Sequence, residues 1–541
     1  MSKKLKYNLP DLENIKIDDN PNFDEQLEKH AERSKQKLER KQGLENVAFG
    51  GENDDEIDDD SEEIGESESD VEFAFLENLS DQEIKNLTLN QLVREGKHEV
   101  ISELLKNQRY HKFKFHRQLL ICDNQGFAPI HYAAKYNQVQ CADVILNYCN
   151  SKTTDLQKIY KFPSENDRLL PIHLAARYTG AEYNEEIFDA ENPSTFKTVL
   201  DLLLFYAKPN LDNQIYEMKR WTFEDENGNP TNILAVSDGY GMCAMHHAVS
   251  RGNEERVQRL IDFVTEYKPR RRSSFNYQTT KVFKNGVAPL NEGQQIFLDT
   301  IVNNLDTSNR TPLHYAALRG ETKISEILLK YGADRLKKDA DKQIPLHDAA
   351  EENNLETAKI LLQKEVENQL FNTNRDGSTP VHIAVENNSE ETAHFLMKTC
   401  YNSLSGPKLQ SLVERSKIYS DSSKPLHLAV GTKNIRLVTL LVRYYHANTE
   451  VFNNLHETPL FIACKKGFTN IMKYLIIEGR AEKESRDRDG YTNLLIACSS
   501  GHGECVEALL KLGADIEAVN KEDRNAFHIV AQENRPNVQK K

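Results

Sequence analysis

A short phrase that recurs at a nearly constant interval is the feature that most constrains how this chain can fold. It reads TPLHYAALRG at residues 311–320 and returns in altered form as IPLHDAAEEN, TPVHIAVENN and KPLHLAVGTK. From His314 to His528 its histidine position recurs at intervals of 33, 35, 45, 34, 34 and 33 residues. A period of this length indicates a repeat architecture rather than one globular core.

Ten positions along the chain align with this histidine, which we call the anchor position. Two of them hold Phe461 and Leu495. The other eight are His131, His173, His246, His314, His347, His382, His427 and His528. A further unit at residues 89–107, LNQLVREGKHEVISELLKN, has the same two-helix texture without the phrase. The expected total is therefore about eleven units.

The residues of one unit predict a pair of helices. Thr311 can cap the first helix, and Pro312 suits its first position, where the missing N–H costs nothing. The two alanines that follow are small enough for close helix packing. Residues 324–329 then carry apolar side chains at the i, i+3, i+4 spacing of a second helix. One pair cannot bury this stripe alone, so neighbouring units are expected to stack.

The period and the T-P-L-H-x-A phrase resemble those of ankyrin repeats. We therefore expect an all-α fold, an ankyrin-repeat solenoid of about eleven helix-pair units with irregular insertions and a disordered N-terminal tail. The resemblance implies that the histidines hydrogen-bond between adjacent loops. Because Phe461 and Leu495 occupy the same position without a titratable group, we interpret the eight histidines as structural repeat anchors rather than as reactive groups.

The domain boundaries are predicted from changes in charge and apolar content along the chain. Residues 1–83 are predicted to be a disordered tail with an acidic stretch at 52–70, because like charges repel and apolar side chains are few. The repeat array is predicted over 84–534, followed by a C-terminal end at 535–541.

Four intervals between anchors exceed one unit, at 42, 73, 68 and 45 residues. The two longest predict insertions near 207–236 and 267–306. Each of these is either a degenerate unit or a segment that projects from the stack, frequently on the binding face.

The net charge of −15 belongs almost entirely to the tail. Residues 1–80 hold 10 Lys or Arg against 24 Asp or Glu, which leaves 59 against 60 in the rest. Ser67 and Ser69 each have an acidic residue three places on, and Ser273 follows three arginines. These serines are candidate phosphorylation sites, for which a solvated spacer and a plain loop are the alternative interpretations.

No catalytic, cofactor-binding or metal-binding residue is predicted. The sequence lacks H-E-x-x-H, G-x-x-x-x-G-K-[ST] and G-x-S-x-G motifs, and its eight cysteines lack CxxC spacing. The neutral body does not favour nucleic acid as a partner. No apolar run approaches the roughly 20 residues of a membrane span. We expect a cytoplasmic protein that is not an enzyme and needs no cofactor.

The last units also resemble one particular family, the transient receptor potential ankyrin-type (TRPA) cation channels. Residues 466–534 carry the similarity, above all in GYTNLLIAC and DRNAFHIVAQEN. The resemblance implies the N-terminal cytosolic ankyrin domain of a non-selective cation channel in sensory ion transport, as a fragment without the pore. The membrane-spanning part of the channel would be its partner, in a tetramer at the cytosolic face of the plasma membrane.

A soluble ankyrin-repeat adaptor or signalling scaffold is the alternative, and a regulatory subunit that targets a phosphatase or ligase is a third. In each case the expected partners are other proteins, bound through the concave repeat surface. Coding sequence downstream of Lys541 separates the alternatives, since a channel requires six apolar segments of about 20 residues.

Overall fold

The computed structural model describes residues 80–150, 159, 162–178, 198–207, 222–224, 230–266, 292–417 and 420–533. All of them belong to one compact unit, which comprises Met1–Asn8 and Glu72–Lys541, whereas Leu9–Val71 form a second unit. The acidic stretch 52–70 and the C-terminal end 535–541 lie outside the described residues. The first described helix begins at Asp81, after a capping box at Ser80, so the predicted boundary at 83 falls inside this helix.

Twenty-five α-helices and two short strands follow in chain order within the described residues. Up to the second long insertion they are α1 (Asp81–Asn86), α2 (Leu89–Arg94), α3 (His98–Lys106), α4 (Pro129–Lys135), α5 (Val139–Asn150), α6 (Pro171–Arg177), α7 (Val199–Ala207), β1 (Thr222–Glu224), β2 (Pro230–Asn232), α8 (Ala244–Ser250), α9 (Glu254–Glu266) and α10 (Glu292–Val302). Two 3₁₀ segments, Gln108–Phe113 and Phe115–Leu120, follow α3.

The remaining helices are α11 (Pro312–Arg319), α12 (Thr322–Lys330), α13 (Pro345–Glu351), α14 (Leu355–Leu361), α15 (Val366–Leu370), α16 (Pro380–Glu386), α17 (Glu390–Ser403), α18 (Gly406–Val413), α19 (Pro425–Gly431), α20 (Ile435–Thr439), α21 (Pro459–Lys466), α22 (Thr469–Ile477), α23 (Asn493–Ser500), α24 (Gly503–Lys511) and α25 (Ala526–Gln532). A π-helical turn, Leu440–Tyr444, extends α20.

The helices form the stacked pairs that the repeat predicts. The first helices of successive units pack in series from α2 through α4, α6, α8, α11, α13, α16, α19, α21 and α23 to α25. Each first helix except α25 also packs against the second helix of its own unit. The described residues thus contain ten pairs and one further first helix, so the expected all-α solenoid of about eleven units is confirmed.

The unit at 311–334 shows how its residues produce this packing. Pro312 occupies the first turn of α11, and Leu313, Ala316 and Ala317 are buried between neighbouring helices. Gly320 ends the helix with φ 75°, a left-handed conformation that costs glycine little. In α12, Ile324 and Leu328 face the same interior.

The insertion predicted near 207–236 stays a prediction, since most of this range lies outside the described residues, and extra chain length also precedes it. Residues 178–198 separate α6 from α7, so part of the extra length lies inside the unit, between its two helices. Within the predicted range, β1 and β2 form an antiparallel pair in which Phe223 lies opposite Thr231. These two strands are the exception to the helical structure of the described residues.

Two described helices within the later long intervals pack onto the stack. Helix α10 lies within the predicted range 267–306, packs against α9 and buries Leu298, Ile301 and Val302. Helix α18 accounts for the long interval between His382 and His427, and it packs against α17. The helical part of each segment therefore adds to the core.

Candidate protein-binding surface

In most units, the loop before the first helix is closed by the side chain of one aspartate or asparagine. Asp306 Oδ1 accepts hydrogen bonds from the backbone N–H groups of Ser308 and Arg310, both at 2.8 Å. The same two bonds are made by Asp123, Asp238, Asp339, Asn374, Asn453, Asp487 and Asn520. Our sequence reasoning missed these residues, although an Asp or Asn eight positions before the anchor was the available signal.

Neighbouring loops are hydrogen-bonded to each other through their backbones. The N–H of Thr307 donates to Tyr240 O at 3.0 Å, and the N–H of Ala340 donates to Ser308 O at 2.8 Å. The N–H of Lys521 likewise donates to Asp489 O at 3.1 Å. We call these loops the loop row, made up of residues 123–127, 164–168, 238–242, 306–310, 339–343, 374–378, 421–424, 453–457, 487–491 and 520–524.

The anchor histidines connect each first helix to the next loop. His347 Nδ1 accepts from the N–H of Ile344 at 3.2 Å, and His347 Nε2 lies 3.2 Å from Ser378 O in the following loop. A neutral ring with its proton on Nε2 satisfies both contacts. The corresponding pair of contacts is made by His131, His173, His246, His314, His382 and His427.

Burial keeps these rings neutral. It lowers the pKa of His131, His314, His347 and His427 to about 4 and that of His382 to about 3. The pKa values of His173 and His246 are lowered for the same reason. A buried neutral ring with both nitrogens engaged is poorly placed for acid–base chemistry. The structural role of the histidines stays a prediction that these contacts support.

Three anchor positions differ from this pattern. His528 is exposed, and its Nδ1 lies 2.6 Å from Asn525 Oδ1. Phe461 and Leu495 have no ring nitrogen, and their backbone N–H groups donate to threonine hydroxyl oxygens three residues earlier. The candidate phosphorylation sites Ser67, Ser69 and Ser273 lie outside the described residues.

A buried pair in the middle of the array resembles a catalytic dyad but is closed to solvent. His247 Nε2 donates to Asp238 Oδ2 at 2.9 Å, and both side chains are fully buried. Burial lowers the pKa of His247. Burial alone would raise the pKa of Asp238, but the hydrogen bond from His247 and its charge hold that pKa below the usual value. A substrate cannot reach this pair, so its chemistry is that of a hydrogen bond.

The thiols and possible metal ligands give no further site. Burial raises the pKa of Cys498 to about 12 and that of Cys243 and Cys400 to about 11, which disfavours the reactive thiolate. Across the described ranges, no cluster of three or more His, Cys, Asp or Glu side chains is arranged to hold a metal. The same ranges contain no helix with the length and apolarity needed to cross a bilayer.

The loop row and the ends of the first helices are one exposed part of the described surface. Tyr240 and Leu455 extend from the loops with 42% and 53% of their surface exposed. Tyr136 follows α4 and is 41% exposed. Exposed aromatic and aliphatic side chains on a hydrogen-bonded backbone can contact another protein without first being ordered, which lowers the entropic cost of binding.

A family model of ankyrin repeats, in copies of three, matches this chain. The matches cover residues 213–339, 290–372, 334–406, 399–487, 426–520 and 470–540, which together span more than half of the 541 residues. The chain belongs to the ankyrin-repeat family. Members of this family bind other proteins, so the expectation of a protein-interaction domain is confirmed at this general level.

The relatives of this ankyrin-repeat chain differ in the share of their own length that the chain matches. It is 29% identical over 224 residues to the probable 26S proteasome regulatory subunit p28 of Saccharomyces cerevisiae, which is 41% of this chain and 94% of p28. It is 25% identical over 311 residues to the ankyrin repeat protein nuc-2 of Neurospora crassa, which is 56% of this chain but 28% of nuc-2.

The resemblance to TRPA channels has a counterpart among these relatives. The chain is 24% identical over 212 residues to a TRPA member 1 homologue of Caenorhabditis elegans, which is 39% of this chain and 16% of the channel. Among solved structures, the ankyrin repeat domain of human ASB11 aligns with 41% of this chain and 96% of its own length. The sequence identity is 21% and the TM-score is 0.35.

Proposed function

We propose that this ankyrin-repeat chain is a binding scaffold that holds a protein partner against its loop row and first-helix ends, as an adaptor or subunit of a larger assembly. The observation that carries the proposal is the hydrogen bonding of one loop to the next, such as Thr307 to Tyr240. It fixes the loops in one row while their tips remain exposed. A prearranged surface of this kind suits partner binding better than chemistry.

The extent of the similarities supports the adaptor or subunit. The match to p28 covers 94% of a protein named as a regulatory subunit, whereas the match to the channel homologue covers 16% of that protein. The matched share of this chain is similar in the two cases, 41% and 39%, so the preference rests on the share of each relative that is matched.

Cross-linking in cells with a lysine-reactive reagent tests the proposal on the full chain. Lys342 and Lys521 lie exposed on the loop row, whereas Lys330 and Lys359 lie on second helices. If the proposal is correct, cross-links to partner proteins concentrate at Lys342 and Lys521. Cross-links confined to Lys330 and Lys359, or equally frequent there, would contradict it.

The second candidate function is the cytosolic ankyrin region of a TRPA-like cation channel at the plasma membrane. The similarity to the C. elegans channel homologue and the phrases GYTNLLIAC and DRNAFHIVAQEN support it. Full-length transcript sequencing decides between the candidates. Six downstream segments of about 20 apolar residues support the channel, and a stop codon after Lys541 supports the adaptor.

A further inference from the structure

Each of the first five first helices ends with a cation. Arg94, Lys135, Arg177 and Arg319 are the last residues of α2, α4, α6 and α11, and Arg251 directly follows α8. Arg94, Arg251 and Arg319 are exposed, and the other two are half-buried. We call these five residues the helix-end stripe.

Aromatic rings lie between the cations of the stripe. The Arg94 guanidinium lies 4.2 Å from the centroid of the Tyr132 ring, and this ring stacks at 6.2 Å on that of Tyr136. Further along, Arg177 and Arg251 lie 5.8 and 5.6 Å from the Tyr178 ring. Tyr132 is fully buried, but Tyr136 is 41% exposed and Tyr178 is half-buried. These two rings present apolar surface next to positive charge, which suits a polypeptide with both acidic and apolar groups.

Helix stabilisation alone does not explain the stripe. A cation at a helix C-terminus interacts favourably with the helix dipole. Four residues after the anchor, however, Lys135 and Arg177 have as their counterparts Glu351 at the end of α13 and Glu386 at the end of α16, while Arg251 and Arg319 stand one residue further from their anchors. The position therefore tolerates either sign, and the cations of the first five units are a regional feature.

The acidic side chains closest to the stripe already have partners. Glu95 accepts a hydrogen bond from Gln91, and Asp123 accepts one from Tyr132 besides lying 3.6 Å from Arg94. Arg319 lies 3.9 Å from Glu321, so its charge is partly offset. Asp123 offsets the charge of Arg94 in the same way, so the positive character is strongest from Lys135 to Arg251.

We infer that the helix-end stripe binds an acidic, extended segment of a partner protein. Helices packed side by side lie about 8–10 Å apart, and an extended chain advances about 3.3 Å per residue. Acidic residues at every third position would therefore meet successive cations. The carboxylate of Glu351 sets the far end of the site by repelling a longer anionic segment, whereas that of Glu386 is already paired with Lys417 Nζ at 2.6 Å. The inference rests on the proposed function and adds the chemistry and location of the partner.

The test measures binding of a fluorescent 13-residue peptide to the full chain. Its glutamates occupy every third position, separated by serine and alanine. The Lys135→Glu/Arg251→Glu double variant should weaken binding about four- to 25-fold at low salt, since each surface ion contact accounts for roughly two- to fivefold. The matched control is Lys330→Glu, because Lys330 is also exposed and lies 5.3 Å from the ring of Tyr331, but on a second helix. It should change the affinity less than twofold.

Three outcomes would overturn the inference once circular dichroism has shown that the variants are folded. The first is that Lys330→Glu weakens peptide binding as much as the double variant does. The second is that a peptide with the same glutamates clustered together binds as tightly as the evenly spaced peptide. The third is that a single-stranded 12-nucleotide RNA binds more tightly than the peptide. The proposed function is tested separately, because partner cross-links at Lys342 and Lys521 that persist in the double variant would leave the scaffold standing without this site.

Discussion

At the scale of single residues, the two anchor positions without histidine each have a threonine three places earlier. Where the anchor is Phe461 or Leu495, the earlier residue is Thr458 or Thr492, and its Oγ1 accepts the anchor's N–H at 3.1 or 3.3 Å. Threonine thus supplies a helix cap where no imidazole is present. Ile344, which precedes His347, cannot supply one.

Replacing an anchor histidine by leucine should therefore cost more where threonine is absent. His347→Leu removes the acceptor of the Ile344 N–H and the partner of Ser378 O, and each unsatisfied buried group costs about 1–3 kcal/mol. In His314→Leu, Thr311 can cap the helix, so the loss of unfolding free energy should be about 1 kcal/mol smaller. Urea denaturation measures both, and equal losses would contradict the compensating role of threonine.

The type of residue that closes a loop also correlates with the type of residue nine positions later. Asp123 and Asp306 each accept a hydrogen bond from a tyrosine hydroxyl, and Asp238 accepts one from His247. Where the closing residue is asparagine, the matched residues are Ile383, Ile462 and Ile529. Asp487 and Asp339 break the pattern, because Ile496 and Asp348 stand at their matched positions.

Replacing aspartate by asparagine should affect stability differently at two of these sites. Burial raises the pKa of Asp487, so its charged form is disfavoured and Asp487→Asn should leave stability at pH 7 unchanged or raise it. Asp306→Asn weakens the 2.7 Å bond from Tyr315 and should cost about 1 kcal/mol. The urea midpoints of the two variants compare the effects, and a loss at residue 487 as large as that at residue 306 would refute the pairing rule.

At the scale of elements, the approach of one loop to the next depends on Gly241. Its φ is 77°, and a Cβ there would lie 2.5 Å from the backbone N of Thr307. Gly513 has nearly the same φ, 79°, but its nearest neighbour is the flexible end of Lys483 at 3.6 Å. Gly513→Ala should therefore cost only the left-handed strain of about 1–2 kcal/mol.

Gly241→Ala should cost at least about 2 kcal/mol more than Gly513→Ala, because the two loops must separate. Hydrogen exchange gives a local readout, since the Thr307 amide that donates to Tyr240 O should lose protection only in the Gly241 variant. Unchanged protection at Thr307 would show that the loops tolerate the added methyl group.

Helix α18 lies within one of the long intervals but buries its apolar side chains as a repeat helix does. Leu409 is fully buried, whereas Ile477 at the end of the repeat helix α22 is 59% exposed. Leu409→Ala should lower the free energy of unfolding by about 2–4 kcal/mol, and Ile477→Ala by less than about 0.5 kcal/mol. Thermal denaturation of the two variants measures this, and a small effect at Leu409 would mean that α18 is dispensable.

At the scale of the whole molecule, the buried anchors couple folding to pH. Their folded pKa values lie at about 3–4, below the unfolded value of 6.5, so the unfolded chain binds protons that the native chain excludes. The stabilisation is complete above pH 6.5 and is lost as the pH falls towards the folded pKa. Between pH 7 and 5, each anchor that unfolds should contribute a loss of about 2 kcal/mol.

The urea midpoint should therefore fall steadily from pH 7 to pH 5 at constant ionic strength. Carboxylates of ordinary pKa stay largely ionised in this range, so they add little to the slope. A variant with leucine at residues 314 and 382, where Thr311 and Thr379 precede, should show a shallower dependence. A midpoint that does not change with pH would mean that the native anchors bind protons after all.

The sequence by itself determined the repeating unit, because its signals are local. A proline at the first helical position, alanines at the tight contact and an apolar stripe in the second helix act within about twenty residues, and their recurrence sets the number of units. The anchor position and the all-α class followed from the same period. Even the closing Asp or Asn could have been found, since it recurs eight residues before the anchor.

Only the tertiary structure decided what depends on contacts between units. The extra length before α7, the packing of α10 and α18 and the bonds between loops involve residues whose spacing in sequence is irregular or more than 30 positions apart. The helix-end stripe is equally invisible in the sequence, since Arg94 and Arg251 are separated by 157 positions and are brought into one series only by stacking. Stacking places residues that recur along the chain at a regular distance from one another in space. That distance determines which charges act together on a partner.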